Sequence, residues 1–145
     1  MSAPVFLVEP GELADVPVGG TFRLQGAEAR HAGVVQRRGP GERIDLCDGC
    51  GTRALGKVVT AGSDGVVVEV LDLVAEPAPR PTLVLVQALA KGDRDERAIE
   101  AATEVGVDAV LPWQARRSVV VWRGERAAKS RALWLGTVRA AAKQS

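Results

Sequence analysis

The chain has 145 residues, of which 46% are apolar and 26% charged, enough to bury a core and too apolar for a disordered chain. No run approaches the ~18 apolar residues of a membrane span, and the opening "MSAPVFLVEPGE" has no basic region and too short an apolar run for a secretion signal. A cytoplasmic protein is the expectation, and its near-neutral total conceals a divided charge: residues 112–145 hold eight Lys and Arg against Glu125 alone, whereas residues 1–111 carry 11 basic against 17 acidic side chains.

In chain order, "VFLV" (5–8) and "TFRL" (21–24) read as short strands, and "GAEARHAGVVQRR" (26–38) as a short helix. A strand over 43–47 follows, closed by Asp48-Gly49, a pair that favours hairpin turns because glycine accepts positive φ. "TRALGKVVTA" and "VVVEVLDLV" flank "GSDG" and predict the next hairpin. Residues 1–75 therefore read as a small, mostly β, barrel-like domain. The proline-rich "EPAPRP" (76–81) cannot feed a central strand or helix and reads as a linker.

Beyond the linker the period changes. "TLVLVQAL" (82–89) is a nearly continuous apolar run, as expected of a strand covered on both faces. Residues 93–105 place Ala98, Ile99, Ala102 and Val105 on one helical face, with Asp93 as a candidate cap and Gly106 as a stop. "VDAVLP" (107–112) is a second strand, completing a β-α-β crossover of an α/β fold. "SVVVW" (118–122) reads as a further strand or an extended edge. From Glu125 helical spacing runs to the chain's last residues without a stop signal, so residues 82–145 read as a unit cut short. Its unpaired strand edges predict fraying or exchanged packing beyond about residue 115.

Candidate chemistry is mostly cationic. Arg30, His31, Arg37 and Arg38 put four potential donors within nine residues, either a phosphate-facing patch or surface and capping residues. Lys91 and Arg94 occupy the loop at the carboxyl end of the first strand of the crossover, where α/β folds bind ligands. Arg116, Arg117 and Ser118 follow the second strand and fall on the same edge. Both groups can equally be solvated charges, as can the basic tail with Lys129, which otherwise forms a polyanion-binding surface. Cys47 and Cys50 make a C-x-x-C at a hairpin tip. With one distant histidine they supply too few ligands for a zinc site within one chain, and they do not open a helix as a redox pair does. No P-loop, no dinucleotide fingerprint, no metal cluster and no nucleophilic triad can be assembled.

Four stretches, "RHAGVVQRRGPGERIDLCDGCG", "QALAKGDRDERAIEAATEVGVDAVLP", "RRSVVVWRGERAAKSRALW" and "AAAKQS", follow one another in order. Together they resemble the ribosomal RNA small subunit methyltransferase E family. Departures from its pattern are Cys47, Cys50, Ala101, Arg116 and Ala140. The resemblance implies a PUA-like RNA-binding β-barrel joined to a SPOUT-class α/β knot domain. It further implies an S-adenosylmethionine-dependent enzyme that methylates N3 of one uridine in 16S ribosomal RNA of the small subunit, and a homodimer at full length. Carried over by motif, Arg30, His31, Arg37 and Arg38 face RNA in the first domain. Lys91, Arg94, Arg116, Ser118 and Lys129 do so in the second, with Glu96, Thr103 and Glu104 on its active edge and Arg117 against the target nucleotide. The family's cofactor-binding "G-P-E-G-G" is absent, so the S-adenosylmethionine site is expected beyond Ser145 and the chain alone is expected to be inactive. A stand-alone RNA-binding module is the alternative reading.

Overall fold

A computed structural model describes residues 3–144. The chain divides into two compact units, one ending at Ala78 and the other beginning at Pro79.

Unit 1 contains β1 (Val5–Leu7), β2 (Thr21–Leu24), α1 (Gly26–Arg30), β3 (Arg43–Cys47), β4 (Thr52–Gly62) and β5 (Gly65–Ala75). The strands form one mixed sheet in the order β1-β3-β4-β5-β2, with β1 parallel to β3 and the other pairs antiparallel. Alternation decides which face is buried. Val66, Val68 and Val70 are at most 1% exposed, while Val67 and Glu69 between them are half-buried. These valines meet Phe6, Leu24, Ile44, Leu46, Ala54 and Val58, and α1 covers them through Ala29 and, just beyond it, Ala32. Gly56 is dictated by this packing, because a Cβ there would lie 2.4 Å from Val68 Cγ1 and 3.1 Å from the Ile44 carbonyl oxygen. Register shifts at Leu55/Gly56 and Val58/Thr60 bend the long hairpin.

The expected barrel does not close among the described residues. Strands β1 and β2, three and four residues long, are the sheet's two edges and do not pair with each other. Residues 26–38 also depart from a plain helix: α1 lasts five residues and gives way to a π turn over His31–Val35.

Unit 2 holds β6 (Val84–Ala88), α2 (Arg94–Glu104), β7 (Ala109–Trp113) and α3 (Gly124–Ala142). Strands β6 and β7 are parallel, with Val84 opposite Ala109 and Ala88 opposite Trp113. The amino end of the pair is locked by Leu83 and Asp108: Leu83 N–H donates to Asp108 Oδ2 at 2.7 Å, and Asp108 N–H to Leu83 O at 2.9 Å. Gly106 does stop α2. At φ +90° it lets its own N–H reach Thr103 O and the N–H of Val107 reach Ala102 O, both at 3.0 Å, so the last carbonyls are satisfied. Helix α3 packs against α2 rather than fraying, and together with the sheet they enclose a small core of Leu89, Ile99 and Trp134.

Among the described residues the apolar run 82–89 is covered on one face: Leu85 and Val110 pack inward, whereas Val84, Val86, Leu111 and Trp113 are each 50–55% exposed. Residues 118–122 form no strand; Val120 and Trp122 instead pack onto the core, and Trp122 meets Trp134 edge-on at 5.1 Å. The final Ser145 of "AAAKQS" lies outside the described residues.

Candidate functional site

In unit 1 the four expected donors fall in two places. Arg30, exposed at the end of α1, lines a cleft of about 760 Å³ between the helix and the β4–β5 hairpin, with Ala29, Gly33, Val34 and Asp64. His31 opens the π turn, a feature frequent at functional sites. Its ring lies 5.9 Å from that of Phe6. Gln36 bridges it to Arg38. Arg38 Nε–H donates to Gln36 Oε1 at 3.4 Å, which turns the Gln36 amide nitrogen to His31 Nε2 at 3.0 Å. Arg37 is exposed at φ +53°, in the left-handed region that few non-glycine residues adopt. Arg38 is half-buried and pairs with Glu42 at 3.3 Å, away from the Arg30 cleft.

The Cys47–Cys50 turn is organised by Asp48, which is 7% exposed. Its Oδ1 accepts the N–H groups of Cys50 at 2.8 Å and Thr52 at 3.0 Å. Burial opposes the charge on Asp48, but those N–H donors outweigh it and hold the carboxyl below its usual range. Burial likewise pushes the Cys47 thiol up, with Arg53 opposing, so little thiolate is present at neutral pH. Both cysteines are free, and among the described residues no three His, Cys, Asp or Glu side chains cluster as a metal site requires. Asp48→Ala should lower stability by about 1–3 kcal/mol at pH 7 by orphaning the two N–H groups. Because the folded carboxyl titrates below its ordinary 3.8, its contribution is complete above that value and lost as pH falls through the folded value. Urea midpoints of wild type and variant should therefore converge below about pH 4.

In unit 2 the loop between β6 and α2 is held from within. Asp95, 4% exposed, accepts Ala90 N–H at 3.3 Å through Oδ2 and Glu96 N–H at 3.0 Å through Oδ1. The expected cap, Asp93, makes no side-chain cap bond and pairs with Arg97 at 3.6 Å in solvent. The loop after β7 is tied to the same place, for Ser118 Oγ donates to Leu89 O at 3.2 Å, while Leu89 N–H donates to Trp113 O at 2.9 Å. Ala115–Ser118 is a tight turn closed by Ser118 N–H on Ala115 O at 3.0 Å, with Arg116 and Arg117 exposed at its tip. Lys91, Arg94, Arg116 and Arg117 are exposed, and none forms an ion pair among the described residues.

The other expected residues sit elsewhere. Glu96, half-buried, lines a cleft of about 150 Å³ with Gly92, Arg126, Ser130 and Trp134. Thr103 and Glu104 close α2, about 13 Å from its start at 1.5 Å per residue and so towards the opposite edge of the sheet. Thr103 is buried and donates to Ile99 O at 2.7 Å. Lys129 is exposed on α3. Sequence reading missed Asp95, the anchor of the loop. Its signal was an acid two places into a helix, indistinguishable by composition from its charged neighbours.

Residues 76–145 match the RNA methyltransferase domain family. The ribosomal RNA small subunit methyltransferase E of Mycobacterium bovis is 46% identical over 122 residues, 84% of this chain and 47% of that protein. The Bacillus subtilis protein of that name is 34% identical over 126 residues, 86% of this chain and 49% of its own length. Among solved structures, the Neisseria gonorrhoeae ribosomal RNA small subunit methyltransferase E, bound to S-adenosyl methionine, has a TM-score of 0.82 at 29% identity, over 99% of this chain and 57% of that one. A Legionella pneumophila structure with bound SAM has a TM-score of 0.85 at 26% identity, over 99% and 58%. Fold and sequence thus define an α/β protein of the RNA methyltransferase class. The chain belongs to the ribosomal RNA small subunit methyltransferase E family and spans about half the length of the curated relatives it matches.

Proposed function

We propose that the chain is part of an S-adenosylmethionine-dependent methyltransferase that modifies N3 of one uridine in 16S ribosomal RNA. Unit 1 serves as a PUA-like RNA-binding domain and unit 2 as the opening portion of a SPOUT-class knot domain. The whole protein acts as a homodimer on the small ribosomal subunit in the cytoplasm. The observation that carries this reading is the Ser118–Leu89 hydrogen bond, which ties the Arg116–Arg117 turn to the loop bearing Lys91 and Arg94. Unpaired cations on one strand edge suit a polyanion.

The two clefts nearest the β6–α2 loop do not suit S-adenosylmethionine. The cleft of about 150 Å³ beside the loop is below the ~300 Å³ of ligand pockets. A larger one of about 370 Å³ is lined by Asp93, Glu96, Arg97, Glu100, Thr137 and Ala140, and so offers a nucleoside almost no apolar wall. The role of this chain is therefore towards the RNA. Uracil N3 bears a weakly acidic imide proton, and the imidate left after its loss is stabilised by a nearby guanidinium. Arg117 takes that role against the target base, while Lys91, Arg94 and Arg116 take the flanking phosphates.

The test compares this chain with a protein of the relatives' length carrying it. RNA binding and tritiated methyl transfer to unmethylated small subunits are measured for both. The chain should bind RNA with steep salt dependence and transfer nothing; the longer protein should transfer, with Arg117→Ala slower by about 10²–10³-fold. A longer protein that binds RNA and never transfers methyl would sink the reading in favour of a pure RNA-binding module.

A further inference from the structure

Unit 1 has a second polar cleft, of about 550 Å³, lined by Pro4, Arg38, Glu42, Arg43, Asp45 and Arg53. Asp45 is its unusual member. Ile44 and Leu46 are core residues, so the strand period puts Asp45 on the sheet's other face, yet it is only 3% exposed. Arg53 donates to it through Nε at 3.2 Å and Nη2 at 2.6 Å, but both bonds end on Oδ2. The other oxygen, Oδ1, is buried and has no hydrogen-bond partner among the described residues. Buried acceptors are seldom left open, and one beside a cleft marks where a donor from another molecule belongs. The neighbouring cations differ in availability. Arg38 is engaged by Glu42 and Gln36, whereas Arg43 is exposed and forms no ion pair among the described residues.

A buried acceptor next to a free guanidinium asks for a ligand with a hydrogen-bond donor and an anion a few bonds apart. A carboxylate supplies no donor, and a bare phosphate, although its protonated oxygens can donate, brings its charge directly against Asp45 and Glu42. A ribonucleotide supplies both. We propose that this cleft binds one ribonucleotide, its 2′-hydroxyl donating to Asp45 Oδ1 and an adjoining phosphate meeting Arg43, and that unit 1 thereby distinguishes RNA from DNA. The inference rests on the RNA-binding reading above and specifies where the sugar is read. On this proposal the partly exposed Arg53 side chain moves to admit the donor to Oδ1 while keeping its bonds to Oδ2.

The test is fluorescence anisotropy of the 145-residue chain with three labelled single strands of one sequence at fixed salt: RNA, uracil-containing DNA, and 2′-fluoro RNA. The fluoro strand keeps the ribose pucker and cannot donate. RNA should bind about tenfold tighter than either of the others, the worth of a hydrogen bond to a charged group. Asp45→Ala should abolish that ratio, and Arg43→Ala should weaken all three strands alike and lower the salt slope by about one ion. Asp45→Ala also strips Arg53 of its partner, so the fluoro strand supplies the same answer on the unaltered protein. Equal binding of RNA and 2′-fluoro RNA, or a preference that survives Asp45→Ala, would overturn this inference and leave the RNA-binding reading standing. Failure to bind any strand would overturn both.

Discussion

Replacing Ile99 with Ala is expected to melt unit 2 while unit 1 stays folded. Ile99 is fully buried and, among the described residues, forms the unit 2 core cluster with only Leu89 and Trp134. Shortening such a side chain costs about 2–5 kcal/mol, from lost transfer energy and the cavity left behind. A core this thin supplies no more than about 3–5 kcal/mol in total, so the substitution removes most or all of the stability. Unit 1 has a core of its own, a cluster of thirteen buried residues. The two units can be followed separately, since all three tryptophans, Trp113, Trp122 and Trp134, lie in unit 2. Tryptophan emission of Ile99→Ala should be red-shifted before any urea is added, while far-ultraviolet circular dichroism keeps a cooperative strand transition. An unchanged fluorescence midpoint would show that Ile99 does not hold the unit together.

The second large effect is expected at Arg53. Arg53→Met keeps the aliphatic stem but leaves the carboxylate of Asp45 buried with neither of its charge-assisted bonds. Stranding a buried charge is worse than lacking the pair altogether, and a loss of about 3 kcal/mol at pH 7 follows. Asp45→Asn combined with Arg53→Met should recover a large part of it, because no ion is then buried. In a double-mutant cycle the coupling is therefore far from zero. Urea midpoints read by circular dichroism supply all four corners. Additive single effects would mean that the 2.6 Å contact contributes little.

What was legible in the sequence is what local rules decide. The strand "VVVEVLDLV" within β5, the Ser63-Asp64 tip between β4 and β5 and the glycine stop of α2 each depend on neighbours a few residues away, and each appears where expected. Distant partners decided the rest. Asp93 and Asp95 are alike by type, and only the proximity of Ala90 N–H makes Asp95 the anchor of the loop. Asp45 reads as a surface residue until Arg53, eight residues away across a hairpin, buries it. "SVVVW" has strand composition, but Val120 and Trp122 find Trp134 on a helix rather than a neighbouring strand. The candidate cations were found by type and position, whereas the hydrogen bond that draws two of their loops together spans 29 residues.

The bare face of the β6–β7 sheet has a consequence for biosynthesis. Translation delivers unit 1 first, and its core needs nothing from later residues. Val84, Val86, Leu111 and Trp113 then emerge on a short parallel pair, each left about half exposed by the described residues. At that moment the polypeptide displays a greasy strip flanked by open strand edges, the kind of surface that chaperones shield and that crowded polysomes can glue together. Whatever these residues do once mature, their hazardous interval begins when β7 clears the exit tunnel.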